Sequence, residues 1–227
     1  MIGDRILIIA AHPDDDILGC GGIISKFSLT KKIKVIFIGE GSTARFQDPH
    51  SQEARDEIIS RTKMAVDALK ILNVNDVNFL NLPCSQLDTV PQIDINRIIE
   101  ASIDDFKPDT IFTHSSKDLN IDHQIVNKAT LIATRPLPNR KVKTLLAYEV
   151  PSSSEWNFQN PFNPNYFIEL NEQQVTKKQE ALSIYASEVG VFPFPRSLLG
   201  LESLARCRGM QSGYILAEAF EVLRIFE

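Results

Sequence analysis

Apolar residues fall along this chain in two alternating rhythms. Short, nearly continuous apolar runs rich in β-branched residues alternate with longer stretches where apolar positions recur every three or four residues. An unbroken run marks a strand buried on both faces, and the longer spacing marks an amphipathic helix. Strands are therefore expected at Arg5–Ala11, Lys34–Ile38, Val77–Leu82, Thr110–Thr113 and Lys143–Val150. Helices are expected at Asp16–Leu29, Ser51–Leu72, Gln92–Phe106 and Ile121–Ala133. This βαβα rhythm predicts an α/β fold: a Rossmann-like, doubly wound, mostly parallel sheet. The Ser-, Pro- and Asn-rich segment 151–164 reads as an ordered loop over the site. A short strand at Phe167–Leu170, helices at Glu172–Ser187 and around Leu198–Gln211, and a final element at Ala219–Ile225 form a C-terminal elaboration. With no internal repeat or low-complexity tract, residues 1–227 are expected to form one domain.

Composition narrows the partners. A chain of 227 residues is long enough to bury a substantial core. A net charge of −5 lacks the basic footprint of a nucleic-acid binder, so none is expected. Cys20, Cys84 and Cys207 are odd in number and far apart, which reads as reduced thiols in a cytoplasmic protein. Met1–Arg5 runs straight into the first strand without the regions of a signal peptide, and no apolar run reaches the ~18 residues of a membrane span. A small-molecule substrate is the expected partner; self-association into a homo-oligomer stays open.

The sharpest chemical feature is Ala11-His12-Pro13-Asp14-Asp15-Asp16, directly after the first strand. Sheets of this kind build their sites at the carboxyl ends of the strands. Three consecutive aspartates repel one another, a cation would relieve that repulsion, and imidazole with carboxylate is an ordinary zinc donor set. The bland alternative is a solvated helix start favoured by the helix dipole. A second polar loop, His114 to His123 (HSSKDLNIDH), follows the fourth strand. With a strand order of 3-2-1-4-5 the two loops meet at the switch point. His12, one of the aspartates and His123 would then supply three ligands and leave a fourth position for water.

AHPDDD, the later DLNIDH, and the C-terminal Pro195-Arg196-Ser197 with Arg208-Gly209-Met210-Gln211-Ser212 resemble the PIG-L/LmbE-like N-deacetylases over nearly the whole chain. The resemblance implies a hydrolase that removes an N-acetyl group from an amino-sugar compound with one zinc ion per chain. It implies His12, Asp15 and His123 as zinc ligands, Asp14 as general base and Arg61 as an arginine facing substrate. Two positions depart from the family pattern. Asp16 stands where the family usually has Glu. Asn120 stands where several members carry a histidine held to stabilise the oxyanion or donate a proton. An amide can donate a hydrogen bond to an oxyanion but delivers no proton. Asp14 then returns the proton to the leaving amine, with His114 as the other candidate.

Other residues have two readings each. Asp122 either orients His123 or caps the helix that starts there. Gly19, Gly21 and Gly22 either admit a phosphate or sugar or allow close helix–sheet packing. Glu149, Ser152, Ser153 and Trp156 sit in a segment that recurs in this branch of the family; Glu149 and Trp156 are expected to bind substrate, with an anchored loop as the alternative. Two further classes stay in view. One is a catalytically inactive sugar- or nucleotide-binding module on the same fold. The other is a metal-dependent phosphoesterase, which would need more ligands than four histidines readily provide.

Overall fold

The computed structural model describes residues 2–137 and 142–226. Among these residues seven strands form one sheet: β1 (Arg5–Ala10), β2 (Lys32–Gly39), β3 (Asp76–Leu82), β4 (Thr110–His114), β5 (Thr144–Tyr148), β6 (Tyr166–Leu170) and β7 (Leu216–Ile225). Their order is β3-β2-β1-β4-β5-β7-β6. The first five are parallel, and β7 runs antiparallel between β5 and β6. The expected 3-2-1-4-5 order is thus present, and the final element enters the sheet between β5 and β6, which forms its edge.

Unbroken apolar runs make this sheet because both of its faces are covered. Along β1, Ile6, Ile8 and Ala10 enter one hydrophobic cluster, while Leu7, Ile9 and Ala11 enter the other. In β2, Val35 and Phe37 face the first cluster and Ile36 and Ile38 the second. The period of two along a strand divides a single run between two cores. Among the described residues six helices cover the sheet: α1 (Asp15–Phe27), α2 (Gln52–Ile71), α3 (Gln92–Phe106), α4 (Ile121–Ala133), α5 (Glu172–Ser183) and α6 (Leu198–Ser212). Residues of α1, α2 and α5 close the first cluster, and those of α3 and α4 the second.

Two boundaries depart from expectation for tertiary reasons. The helix expected over Glu172–Ser187 ends at Ser183. No breaker stands there. Instead Tyr185 is fully buried and lies 6.0 Å under the Arg61 guanidinium, and tight turns (Tyr185 N to Leu182 O, Glu188 N to Tyr185 O) carry Glu188 to the same arginine. The last strand begins at Leu216 rather than Ala219, which brings Glu218 into the sheet. Glu218 accepts from the N–H groups of Gly22 and Ile23 in α1 and from Lys178 in α5. A side chain at Gly21 would run into Lys178, and one at Gly22 into Leu170 and Glu218. Glu221 accepts from Ser115 Oγ at 2.9 Å and Lys117 Nζ at 2.6 Å. The C-terminal strand therefore pins both α1 and the loop after β4, the two segments that carry the chemistry. Among the described residues no helix is long and apolar enough to cross a membrane.

Candidate active site

At the carboxyl end of β1 the chain turns sharply through His12, Pro13 and Asp14 into α1. Asp14 adopts φ 112°, a left-handed conformation that costs a non-glycine residue energy and persists only where surroundings enforce it. The enforcement is visible. Asp15 Oδ2 accepts from the His12 N–H at 2.9 Å, the Asp14 carbonyl accepts from Leu18 N at 2.9 Å, and two arginines hold the Asp14 carboxylate.

The second loop, after β4, is set by its own polar residues. Asn120 caps α4, its Oδ1 accepting from Asp122 N at 2.9 Å. Asn120 also lines the cavity. Asp118 accepts from Asn120 N at 2.8 Å, from Ser154 Oγ at 2.6 Å and from Ser153 Oγ. It lies 3.2 Å from His123 Nδ1. Burial would raise the Asp118 carboxyl, but His123 and the two serines outweigh it and hold it at about 2. His12 Nε2 is hydrogen-bonded to Asp122 Oδ2 at 2.8 Å, and Asp122 also accepts from Ser85 N and Leu87 N.

Each histidine therefore has one nitrogen against a carboxylate, hydrogen-bonded in His12 and in ion-pair contact at 3.2 Å in His123, and the other near Asp15. His12 Nδ1 is 3.5 Å and His123 Nε2 is 3.3 Å from Asp15 Oδ2. Candidate ligand atoms of His12, Asp15 and His123 all lie within 4.8 Å of one another, and all three residues are buried. This donor set fits a zinc ion: two imidazoles and a carboxylate converge, and each imidazole is oriented by an acid behind it. Burial would lower His123, but Asp15 and Asp118 outweigh it and push it up to about 9; His12 is raised for the same reason by Asp122 and Asp15.

Asp14 lies beside this trio in a different setting. Arg61 Nη2 donates to Asp14 Oδ2 at 3.0 Å and to Pro13 O at 2.9 Å, and Arg196 Nη1 donates to the same oxygen at 2.9 Å. Glu188 accepts from Arg61 Nη1, is paired with Arg45 at 2.6 Å and lies 3.4 Å from Arg196. Burial raises the Asp14 carboxyl, and Arg61 and Arg196 oppose that rise. The result is a carboxylate held next to the metal-type site by cations rather than by the metal donors. The shared cavity measures about 200 Å³ and opens between the loops that carry Asp14, Arg45, Ser85, Asn120 and Arg196.

The remaining expected residues fall elsewhere or act differently. Asp122 neither orients His123 nor caps α4: it pairs with His12, and Asn120 caps the helix. His114 is fully buried beneath the site and stacks on His123 with ring centroids 3.9 Å apart. Its Nε2 accepts from Ala11 N at 2.8 Å, so it supports the turn instead of facing the cavity. Glu149 is held by both arms of Arg208, at 2.7 and 2.5 Å, and lines a separate cavity with Lys178 and Glu218. Trp156 stands on a short 3-10 turn, 45% exposed, outside the lining of the main cavity. Its loop is anchored by Asn157 Nδ2 to Lys117 O at 2.8 Å, and its serines hold Asp118. Gly19 faces the Tyr148 ring, which a side chain there would overrun, so this glycine serves packing. Asp16 is buried with no hydrogen-bond partner and is pushed up to about 8, by burial first and then by Asp14 and Asp15. Asp118 and Glu188 are site residues that the sequence did not single out, and Arg196 stood out only as part of the Pro195-Arg196-Ser197 motif, without a role. An acid five residues before His123 was the available signal for the first.

Residues 7–134 match the family described as PIG-L, GlcNAc-PI de-N-acetylase. The chain is 30% identical over 190 residues to the uncharacterized deacetylase YaiS of Escherichia coli, covering 80% of this chain and 90% of that one. Among solved structures, the N,N'-diacetylchitobiose deacetylase of Pyrococcus horikoshii aligns with TM-score 0.78 at 18% identity, over 97% of this chain and 84% of that one. The 4-carboxy-2-hydroxymuconate hydratase GalB of Pseudomonas putida aligns with TM-score 0.76 at 20% identity, over 98% of each chain. Structural likeness at that identity shows a common fold, and the sequence matches show more: this chain belongs to the PIG-L family of LmbE-type deacetylases.

Proposed function

We propose that this protein is a zinc-dependent hydrolase that removes the acetyl group from the nitrogen of an amino-sugar compound and releases acetate. The observation that carries the proposal is the pairing of His12, Asp15 and His123 around one point with Asp14 beside them, held off that point by Arg61 and Arg196. His12, Asp15 and His123 would hold one zinc ion per chain. When bound, zinc supplies Lewis acidity toward water and the amide carbonyl.

The chain's own groups supply the rest. Asp14 accepts a proton from the attacking water and returns it to the departing amine nitrogen, which no histidine at position 120 is present to do. Asn120 Nδ2 donates a hydrogen bond to the oxygen that gains charge in the tetrahedral intermediate. Arg61 and Arg196 keep the Asp14 carboxylate oriented, and Asp118 and Asp122 keep the two imidazoles oriented. A cavity of about 200 Å³ lies below the ~300–1,000 Å³ usual for ligand sites, so it suits one sugar ring with its acetamido group.

Acetate release from a panel of N-acetylated amino sugars, by the wild-type protein and by Asp14→Asn, tests the proposal. Acetate from at least one sugar, lost in the variant, is the expected outcome. A protein that releases none would fit the inactive binding module, or a water-adding reaction of the kind named for the Pseudomonas neighbour. The phosphoesterase reading has less support. The second candidate metal group, His12 with Cys84 and Asp122, shares His12 with the first, and the Asp122 oxygens are taken up by His12, Ser85 N and Leu87 N.

A further inference from the structure

A second donor cluster shares His12 with the first. Cys84 Sγ, an imidazole nitrogen of His12 and a carboxylate oxygen of Asp122 all lie within 4.8 Å of one another, and all three residues are buried. Cys84 and His12 also line the main cavity, so an ion that enters the cavity can reach both. His12 serves the two clusters through different ring nitrogens. Nδ1 is 3.5 Å from Asp15 Oδ2, and Nε2 is 2.8 Å from Asp122 Oδ2.

The thiol is placed by the turn after β3. Cys84 N donates to Oε1 of the buried Glu40 at 2.8 Å, and Ser85 N donates to Asp122 Oδ2 at 2.6 Å. Ser85 takes φ 56°, a left-handed conformation that a non-glycine residue keeps only where its neighbours enforce it. Both anchors are acids on other segments, so the turn and its sulfur have a fixed place beside Asp122. Cys84 Sγ is 3.6 Å from Ser85 Oγ, a weak contact that a metal–sulfur bond would outweigh. The Asp122 carboxylate has room as well. It is hydrogen-bonded to His12 Nε2, Ser85 N and Leu87 N, which together use three of its roughly four lone-pair positions. The bond to His12 is given up when Nε2 takes an ion.

The two clusters differ in charge and softness. His12, Asp15 and His123 offer a single anion. Cys84, His12 and Asp122 offer a carboxylate and, once the thiol proton has left for solvent, a thiolate. Thiolates select soft cations, and cadmium is softer than zinc. A neutral imidazole has one nitrogen lone pair to give, so His12 serves one ion at a time. We propose that Cys84, His12 and Asp122 form a second metal position for a thiophilic divalent cation such as cadmium, which takes His12 from the first set and so shuts the enzyme down. The loss of activity rests on the zinc-dependent deacetylase reading above. The metal position rests on the three side chains alone.

Cadmium titrated into chelator-stripped protein tests this, read by the ultraviolet thiolate-to-cadmium charge-transfer band. Cys207 is exposed and could bind cadmium at the surface, so Cys207→Ser is the parent for every measurement. In the parent the band should saturate at about one cadmium per chain. It should be absent in Cys84→Ser and Cys84→Ala, both of which should still hold about one zinc per chain and so show an intact first set. No band in the parent, or a band that survives in both variants, would overturn the site. On zinc-loaded parent, cadmium should release zinc as the band grows, with total metal staying at about one ion per chain. A total of about two would overturn the competition for His12. Losing a ligand should cost at least the roughly tenfold that losing an orienting partner costs, so half-inhibition of acetate release should need at least about tenfold more cadmium in Cys84→Ser than in the parent. Equal inhibition would overturn the link to activity. Acetate release without a Cys84-dependent band overturns the metal position alone, and such a band in a protein that releases no acetate from any N-acetylated sugar supports the metal position and overturns the deacetylase.

Discussion

Replacing Asp118 by Asn probes whether the acids behind the histidines set metal affinity. Asp118 is 1% exposed and lies 3.2 Å from His123 Nδ1, while Asn120 N, Ser153 Oγ and Ser154 Oγ hold its carboxylate in that position. Asn has nearly the same shape, so helix α4 and the serine loop should stay in place. What is lost is the charge that fixes the imidazole with Nε2 toward Asp15. Removing such a partner typically weakens metal binding 10- to 100-fold, which is about 1.4–2.7 kcal/mol. Zinc affinity measured by competition with a chromophoric chelator should fall by that factor, while the thermal unfolding midpoint of the metal-free protein moves little by comparison. Ser153→Ala with Ser154→Ala should weaken affinity in the same direction by less, because the carboxylate remains. A dissociation constant within twofold of wild type in Asp118→Asn would refute the orienting role.

Asp14→Asn should retain zinc and lose roughly 10²–10⁴-fold in turnover, the usual worth of a positioned acid–base group; Asn also tolerates the left-handed backbone that position 14 requires. Asn120→Asp keeps a good helix cap but removes the Nδ2 donor, so kcat should fall by about 10²–10³-fold with little loss of stability; unchanged kcat would reduce Asn120 to a cap. Arg61→Ala leaves Asp14 and Glu188 short of a buried cation and should cost about 3–5 kcal/mol in urea unfolding. Burial would raise the Glu188 carboxyl, but Arg61, helped by Arg45, holds it below its ordinary value of 4.5. The unfolded chain then binds the proton more readily, so Glu188 adds stability above pH 4.5 that is lost as pH falls below 4.5 through the folded value. Glu188→Gln should flatten that part of the acid limb in pH-dependent urea titrations, and an unchanged slope would contradict the pairing.

Much of this was legible from the chain because it depends on local patterns. The runs RILIIA and KVIFI have no alternation, and only a sheet covered on both faces hides every residue of such runs. His12 and Asp15 are set by one tight turn, and His123 by a cap three residues earlier, so their spacing carried the information. What was not legible depends on long-range pairing. Asp122 adjoins His123 in sequence, yet it bonds His12, 110 residues away. Glu149 sits in a polar segment beside the site, but Arg208, 59 residues on, takes its carboxylate into a different cavity. Glu188 looks like an ordinary loop charge until the early end of α5 brings it to Arg61 and Arg196, the two arginines that hold Asp14. No periodicity reports such partners, because each is chosen by where two distant loops meet.

The most direct test of the central claim is a zinc titration of acetate release. Protein stripped by chelation would be given zinc in steps and assayed on the N-acetylated sugar that serves it best, with bound metal quantified at each step. Activity should be absent without metal, rise linearly and level off at about one zinc per chain. Undiminished acetate release from metal-free protein, a plateau near two ions per chain, or one bound ion with no acetate released from any N-acetylated sugar would contradict it.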